Sequence, residues 1–311
     1  MATPAFKSFD PPRQRIALEC GGYRAEIWPE LGGSVASFEQ RLNGGEPKQL
    51  FRRTQEQPSY EPYDLACWAL VPYGNRIKNG RFAFAGKTYQ LPANYEGLTH
   101  PLHGLGWLRP WNVVEQSAQH CRIQLVHRTN AAWPFAFTVS QLFKLTAAGL
   151  EIGLTLTNDG PDPMPYGLGQ HPYIHRPQGT RVQAQVEGVW LTDEHLLPTT
   201  HAQLPPQWDL RTGFELDGAF MDNCFDGLKG DATVLWPDGS RLVIGSSDNM
   251  GFLVVYNEPE ENFVCIEPVS HMTDAINFAA HGRADTGLKI LAPGASVTAT
   301  HCFASQPSPT G

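Results

Sequence analysis

The sequence predicts an all-β chain folded as one large antiparallel β-sandwich. Glycine and proline interrupt it from end to end, 30 of one and 26 of the other in 311 residues. Few intervals are left for a helix of ordinary length, about 11 residues. Between the breakers, apolar and polar residues alternate with the period of a half-buried strand. No Gly/Ser-rich linker or break in composition divides the middle, and sandwiches beyond about 250 residues form single units.

The elements follow in chain order. Strands are expected over 14–20 and 23–28. Phe82-Ala83-Phe84 and Thr88-Tyr89-Gln90-Leu91 flank Ala85-Gly86-Lys87 as a hairpin. Arg122-Ile123-Gln124-Leu125-Val126-His127 alternates, as do the runs 138–143 and 151–158, joined by Thr146-Ala147-Ala148-Gly149 as a tight turn. Further strands are expected over 182–190, 231–236, 240–246, 252–257, 262–268 and 296–303. Short strands separated by turn signals point to stacked antiparallel sheets. The domain is placed at 13–304, with flexible ends at 1–12 and 305–311, both rich in Pro, Ser or Thr.

Composition narrows the function. With 41% apolar and 17% charged residues the chain is ordinarily globular, and long enough to bury a large core. The net charge is -8 and no Lys/Arg block stands out, which argues against a nucleic-acid partner. No basic and apolar leader pattern and no run near the roughly 20 apolar residues of a membrane span is evident, so a cytoplasmic protein with no membrane partner is expected. Cys20, Cys67, Cys121, Cys224, Cys265 and Cys302 form no C-x-x-C pair and read as reduced, mostly buried thiols.

Four segments set a His, Arg or Glu beside Gly or Pro, where the chain direction is pinned and a side chain can be aimed. They are 71–77 around Asn75-Arg76, 100–107 around His103, 167–173 around His171, and 262–268 around Glu267. A metal is not expected. His171 and His175 share the spacing of helical zinc ligands, but Pro172 and Pro177 oppose a helix. In an extended segment they stand about 13 Å apart, too far for one ion. His100 and His103 are no better placed. No nucleophile elbow, P-loop or dinucleotide fingerprint is present, so no cofactor is expected. Acid–base chemistry remains, since imidazole and carboxylate form a natural proton donor and acceptor. Glu267 ends an apolar strand, where an inward carboxylate is costly unless paired or functional. Asp222 taken alone reads equally as a turn residue.

In order and spacing these segments resemble the aldose 1-epimerases, also called galactose mutarotases. The resemblance rests on Asn75-Arg76-Ile77, Leu102-His103-Gly104, His171-Pro172-Tyr173, Asp222 ahead of Phe225, and Cys265-Ile266-Glu267-Pro268, and it spans about 14–303. It implies the family's supersandwich fold and a small-molecule aldose as partner. It also implies a catalytic pair of His171 as general acid and Glu267 as base, with Asn75, Arg76, His103 and Asp222 holding the sugar. Trp68, Trp107 and Tyr173 are candidates for an apolar face under the ring. The two catalytic groups are expected to face one cleft, several ångströms apart, in a monomer or weak homodimer. His103-Gly104-Leu105 and Gln170-His171-Pro172 depart from the commoner His-Gly-Gly and Asn-His-Ser, which suggests a bacterial side branch with its own sugar. A hexose-6-phosphate 1-epimerase would add an Arg/Lys cluster, for which Arg52-Arg53 or Lys78 with Arg81 are candidates. A non-catalytic sugar-binding module would need no matched acid and base.

Overall fold

In the computed structural model, which describes residues 6–41 and 45–308, two large antiparallel sheets stack face to face. One runs, strand by strand, through Ile16–Cys20, Tyr23–Trp28, Ser34–Gln40, Cys67–Leu70 and Gly169–His175. It continues through Phe263–Val269, Phe252–Asn257, Met221–Asp226, Gly188–Thr192 and Pro198–Gln203. The other runs through Phe214–Glu215, Arg181–Gln185, Lys229–Leu235, Arg241–Ser246 and Ser296–Gln306. It ends with Gly149–Asn158, Phe137–Thr146, His120–His127 and Asn112–Gln116. The one α-helix among the described residues is Ala275–Ala280, far too short to span a membrane.

Most expected strands lie within a few residues of their predicted bounds. The hairpin turn closes between Thr146 and Gly149, and Ala85-Gly86 joins the smaller hairpin. The run 182–190 is different. It forms two strands, Arg181–Gln185 in one sheet and Gly188–Thr192 in the other, because the chain crosses between sheets at Val186-Glu187. Only the first piece keeps the alternation; Gly188, Val189 and Trp190 are all buried, so the period seen in the sequence ends where the fold makes a corner.

The ends are also more engaged than expected. Phe6 donates its N–H to the Asn94 carbonyl, and Phe9 pairs with Tyr60. The last strand reaches Gln306, which pairs with Arg241. Residues 1–5 and 309–311 of the expected flexible ends lie outside the described residues. Cys67, Cys121, Cys224 and Cys265 are buried, and the described cysteines form no disulfide.

The middle strands of the first sheet are buried on both faces. Its inner face, with Phe38, Ile174, Phe225, Val255 and Ile266, packs on Phe137, Ile152, Leu154, Ile244 and Phe303 across the sandwich. Its outer face carries a second cluster in which Trp28, Trp68, Trp107, Tyr173 and Trp190 lie under the covering loops. Double burial is why Cys67–Leu70 and Phe263–Val269 read as continuous apolar runs.

Candidate active site

The site lies on that outer face, and strand alternation puts it there. Along Phe263–Val269, Val264 and Ile266 enter the sandwich core while Phe263, Cys265 and Glu267 point outward. Along Gly169–His175, Ile174 points inward and His171 and Tyr173 outward. The pairings Gly169–Val269 and Tyr173–Cys265 set His171 directly opposite Glu267. One row of side chains then crosses the sheet in register: Trp68, His171, Glu267, Val254, Cys224, Trp190. The next row is Tyr173, Cys265, Tyr256, Asp222. Ninety-odd residues of sequence separation thus collapse to one cross-strand contact.

His171 Nε2 lies 3.4 Å from Glu267 Oε1, closer than the several ångströms expected. Adjacent strands in register dictate that approach. It also suits the chemistry, because the two oxygens that exchange protons in a hemiacetal are bonded to one carbon. The contact is longer than a tight hydrogen bond, so the two groups meet without locking each other.

The surroundings are dry. The His171 ring stacks on Trp68 at 4.6 Å and on Tyr173 at 5.0 Å, with His103 edge-on at 5.1 Å. Burial, assisted by the Arg52 guanidinium, lowers His171 to about 3, so the ring is neutral at physiological pH. Burial raises Glu267 well above the usual carboxylate range, Asp222 adds to this, and Arg76 opposes it. Asp222 is also raised by burial and drawn back by Arg76. Burial thus pushes the two partners apart, the imidazole toward its neutral form and the carboxyl toward its protonated form.

Loops supply the remaining groups. Asn75 and His103 sit on facing segments, tied by Arg76 pairing with Leu102 and Val71 with Gly104. The His103 N–H donates to the Asn75 carbonyl at 2.9 Å. The Asn75 N–H in turn donates to His103 Nδ1 at 3.1 Å, which fixes the tautomer and leaves Nε2–H as a donor into the pocket. Burial, with His171 and Arg76 nearby, keeps His103 neutral. Asn75 Oδ1 accepts from the Arg76 N–H at 2.9 Å and from Arg76 Nη1 at 3.0 Å, which aims the guanidinium. Gly104 is required where it stands: its φ is +68° and a Cβ would come within 2.3 Å of the Val71 carbonyl.

All six predicted site residues, His171, Glu267, Asn75, Arg76, His103 and Asp222, line one pocket of about 570 Å³. Tyr173 lines it as well, but Trp68 and Trp107 do not. Those indoles are buried and form the wall behind His171, which is the apolar setting that neutralises the ring. Arg52, Tyr63, Leu196, Phe220, Tyr256, Glu258 and Glu261 are also among the lining residues. Arg52 is one of the candidate phosphate contacts; the other six sit in no marked motif, and only their place beside the outer-face rows could have singled them out. Of the four candidate phosphate-binding cations, Arg52 alone reaches this pocket, while Lys78 and Arg81 line a different cavity.

His171 and His175 share an extended strand, so no helical ligand pair forms. A different set arises instead. His171, Cys265 and Glu267 place one potential ligand atom each within 4.8 Å of one another. The Cys265 thiol is held neutral by burial, its proton shielded further by Glu267. Nothing in the local sequence marks this cluster, because Cys265 stands at no metal-ligand spacing from a histidine.

The stacked antiparallel sheets define a β-supersandwich of the galactose mutarotase-like class, with His171 and Glu267 paired on its outer face. The aldose 1-epimerase family model matches residues 14–303, and the chain belongs to that family. It is 35% identical to the uncharacterized Escherichia coli protein YphB over 245 residues, which is 76% of this chain and 82% of YphB. It is 27% identical to uncharacterized Escherichia coli YihR, covering 85% of this chain and 86% of that one. A candidate aldose 1-epimerase from Escherichia coli K12 superposes with a TM-score of 0.84 at 30% identity, over 94% of this chain and 99% of the other. A galactose mutarotase-like protein from Clostridium acetobutylicum shares the fold at a TM-score of 0.82 and 22% identity, over 94% of each chain.

Proposed function

We propose that the protein is an aldose 1-epimerase that interconverts the α and β anomers of a free reducing sugar, with His171 and Glu267 as its proton pair. The observation that carries this is the 3.4 Å contact between an imidazole and a carboxyl at the floor of a polar pocket.

The pair works as one unit. On sugar entry the proton held by Glu267 passes to His171, and Arg76 and the sugar hydroxyls stabilise the carboxylate left behind. His171 then donates to the ring oxygen while Glu267 takes the proton of the C1 hydroxyl. The C1–O5 bond breaks, and both groups are again neutral, the state that burial favours. Rotation about C1–C2 exposes the other carbonyl face. Glu267 returns its proton to the carbonyl oxygen and His171 recovers the one on the former ring oxygen. Proton count and charge balance without redox chemistry. Arg76, His103 Nε2–H, Asn75 and Asp222 hold the hydroxyls so that one carbon stays over the pair.

The test is anomer exchange, followed by polarimetry or saturation-transfer NMR over a panel of aldoses. Glu267→Gln keeps shape and removes the proton acceptor. Turnover should fall about 10²- to 10⁴-fold while sugar still binds. Turnover near wild type would remove Glu267 from the mechanism and favour a binding module.

A further inference from the structure

We infer that residues 270–274, directly after the strand of Glu267, are a positioning clamp for Asn75 and Arg76. The parts that grip are the His271 ring and the Asp274 carboxyl. Neither is among the pocket's lining residues, so both act through the loop they hold. This rests on the anomer-exchange reading of the same site and deepens it.

The loop 74–78 needs holding. Asn75 stands at φ +54°, a left-handed state that a non-glycine residue keeps only where its surroundings enforce it. The backbone groups on either side are shared between two walls. On one wall, the Asn75 N–H bonds His103 Nδ1 and the Ile77 N–H bonds the Pro101 carbonyl at 3.2 Å. The other wall is 270–274. The Gly74 N–H donates to His271 Nε2 at 3.2 Å, and the Lys78 N–H donates to Asp274 Oδ1 at 3.0 Å. The Asp274 N–H donates in turn to the Arg76 carbonyl at 3.0 Å. Asn75 and Arg76 therefore hang between two anchor points, 74 and 78, both fixed to one short segment.

The clamp is itself built tightly. His271 is buried, and its Nδ1–H donates to the Met272 carbonyl at 2.6 Å, which leaves Nε2 as the acceptor that Gly74 requires. The ring occupies the space a side chain at Gly167 would fill, since a Cβ there would come within 1.6 Å of it. Asp274 Oδ1 also accepts from Asn277 Nδ2 at 2.8 Å. Ser270 exchanges two hydrogen bonds of 2.9 Å with Leu168, three positions before His171. One segment thus continues the strand of Glu267, fastens the approach to His171 and holds Asn75 and Arg76. Loosening the loop displaces the sugar-holding groups and leaves the proton pair in place, so binding should suffer before turnover.

The experiment screens anomer exchange of glucose, galactose, mannose, xylose and arabinose, and measures kcat and KM of the variants on the best of the five. Circular dichroism and urea unfolding establish which variants are folded. Asp274→Gly tolerates the φ of +56° at that position and removes only the acceptor. It should raise KM about tenfold, with kcat within about threefold of wild type. Asp274→Asn keeps both an oxygen acceptor and the left-handed backbone, and should bring KM back to within about twofold. His271→Leu strands the Gly74 N–H and should also raise KM about tenfold. In an Arg76→Ala background, Asp274→Gly should add less than about twofold, because the side chain it positions is already gone. A wild-type KM in either folded variant, Asp274→Gly or His271→Leu, overturns the inference and leaves the epimerase reading intact. So does an Asp274→Asn variant as impaired as Asp274→Gly, or an Asp274→Gly effect that multiplies in full with Arg76→Ala. Absence of exchange by the wild type with all five sugars overturns the epimerase reading and the clamp together.

Discussion

At the residue scale, the proposed acid–base pairing of His171 with Glu267 should show itself in the kinetics. His171→Asn should lower turnover by about 10² to 10⁴, as Glu267→Gln does. The double variant should lose far less than the product of the two, because groups acting as a unit are non-additive. Multiplying effects in steady-state anomer exchange would mean that the residues act in separate steps. Cys265 adds a second test. Its thiol keeps its proton through burial and lies with the pair inside a 4.8 Å cluster. Proton transfer needs no ion, so dialysis against a strong chelator should leave the rate unchanged. A loss restored by zinc would make Cys265 a ligand. Five of the six candidate residues were legible because they lie in segments marked by Gly, Pro or an out-of-place charge, whereas Asp222 was found only through the family resemblance. The tautomer of His103 and the role of Trp68 were not. Both depend on which loop or strand lies opposite, and no local pattern encodes that.

At the scale of elements, the site depends on two facing loops held close by backbone contact. Gly104 is the tightest point, with φ +68° and the Val71 carbonyl where a Cβ would sit. Gly104→Ala should cost about 1–3 kcal/mol in urea unfolding. It should also raise KM more than it lowers kcat, because it displaces His103 and the Asn75 hydrogen bond without touching the proton pair. A variant with wild-type KM would show that the loops do not position the sugar. Legibility of the strands follows the same physics. Phe137–Thr146 and Gly149–Asn158 have one face in the core and one toward solvent, so alternation marks them clearly. Ser34–Gln40, Cys67–Leu70 and Gly169–His175 are buried on both faces, carry no polar alternation, and were not delimited in advance. The strands that build the site are the ones that periodicity marks least, since covering both faces is what makes the pocket dry.

At the scale of the whole molecule, that dryness has a thermodynamic consequence. Burial depresses His103, His127, His171, His271 and His301 together, so the native state holds all five rings neutral. Unfolding returns them to water, where each takes up a proton near pH 6.5. Below that pH these five rings bind more protons in the unfolded chain than in the native one, so their share of the stability falls as pH falls. His301 isolates the effect, because it is fully buried, lies outside the pocket, and bonds the Pro268 carbonyl through Nε2 at 2.8 Å. Its ring is lowered from 6.5 to about 4, so its share of the loss opens below pH 6.5 and is complete near pH 4. A shift of that size corresponds to about 3 kcal/mol. The measurement is urea unfolding by tryptophan fluorescence at intervals from pH 7.5 to 4.5. Wild-type stability should decline steadily below pH 6.5. His301→Gln should start lower, having lost a fitted ring, but decline less steeply across the same window because one titrating group is gone. Equal slopes in the two proteins would show that His301 does not resist protonation, and would place the acid sensitivity in the remaining histidines.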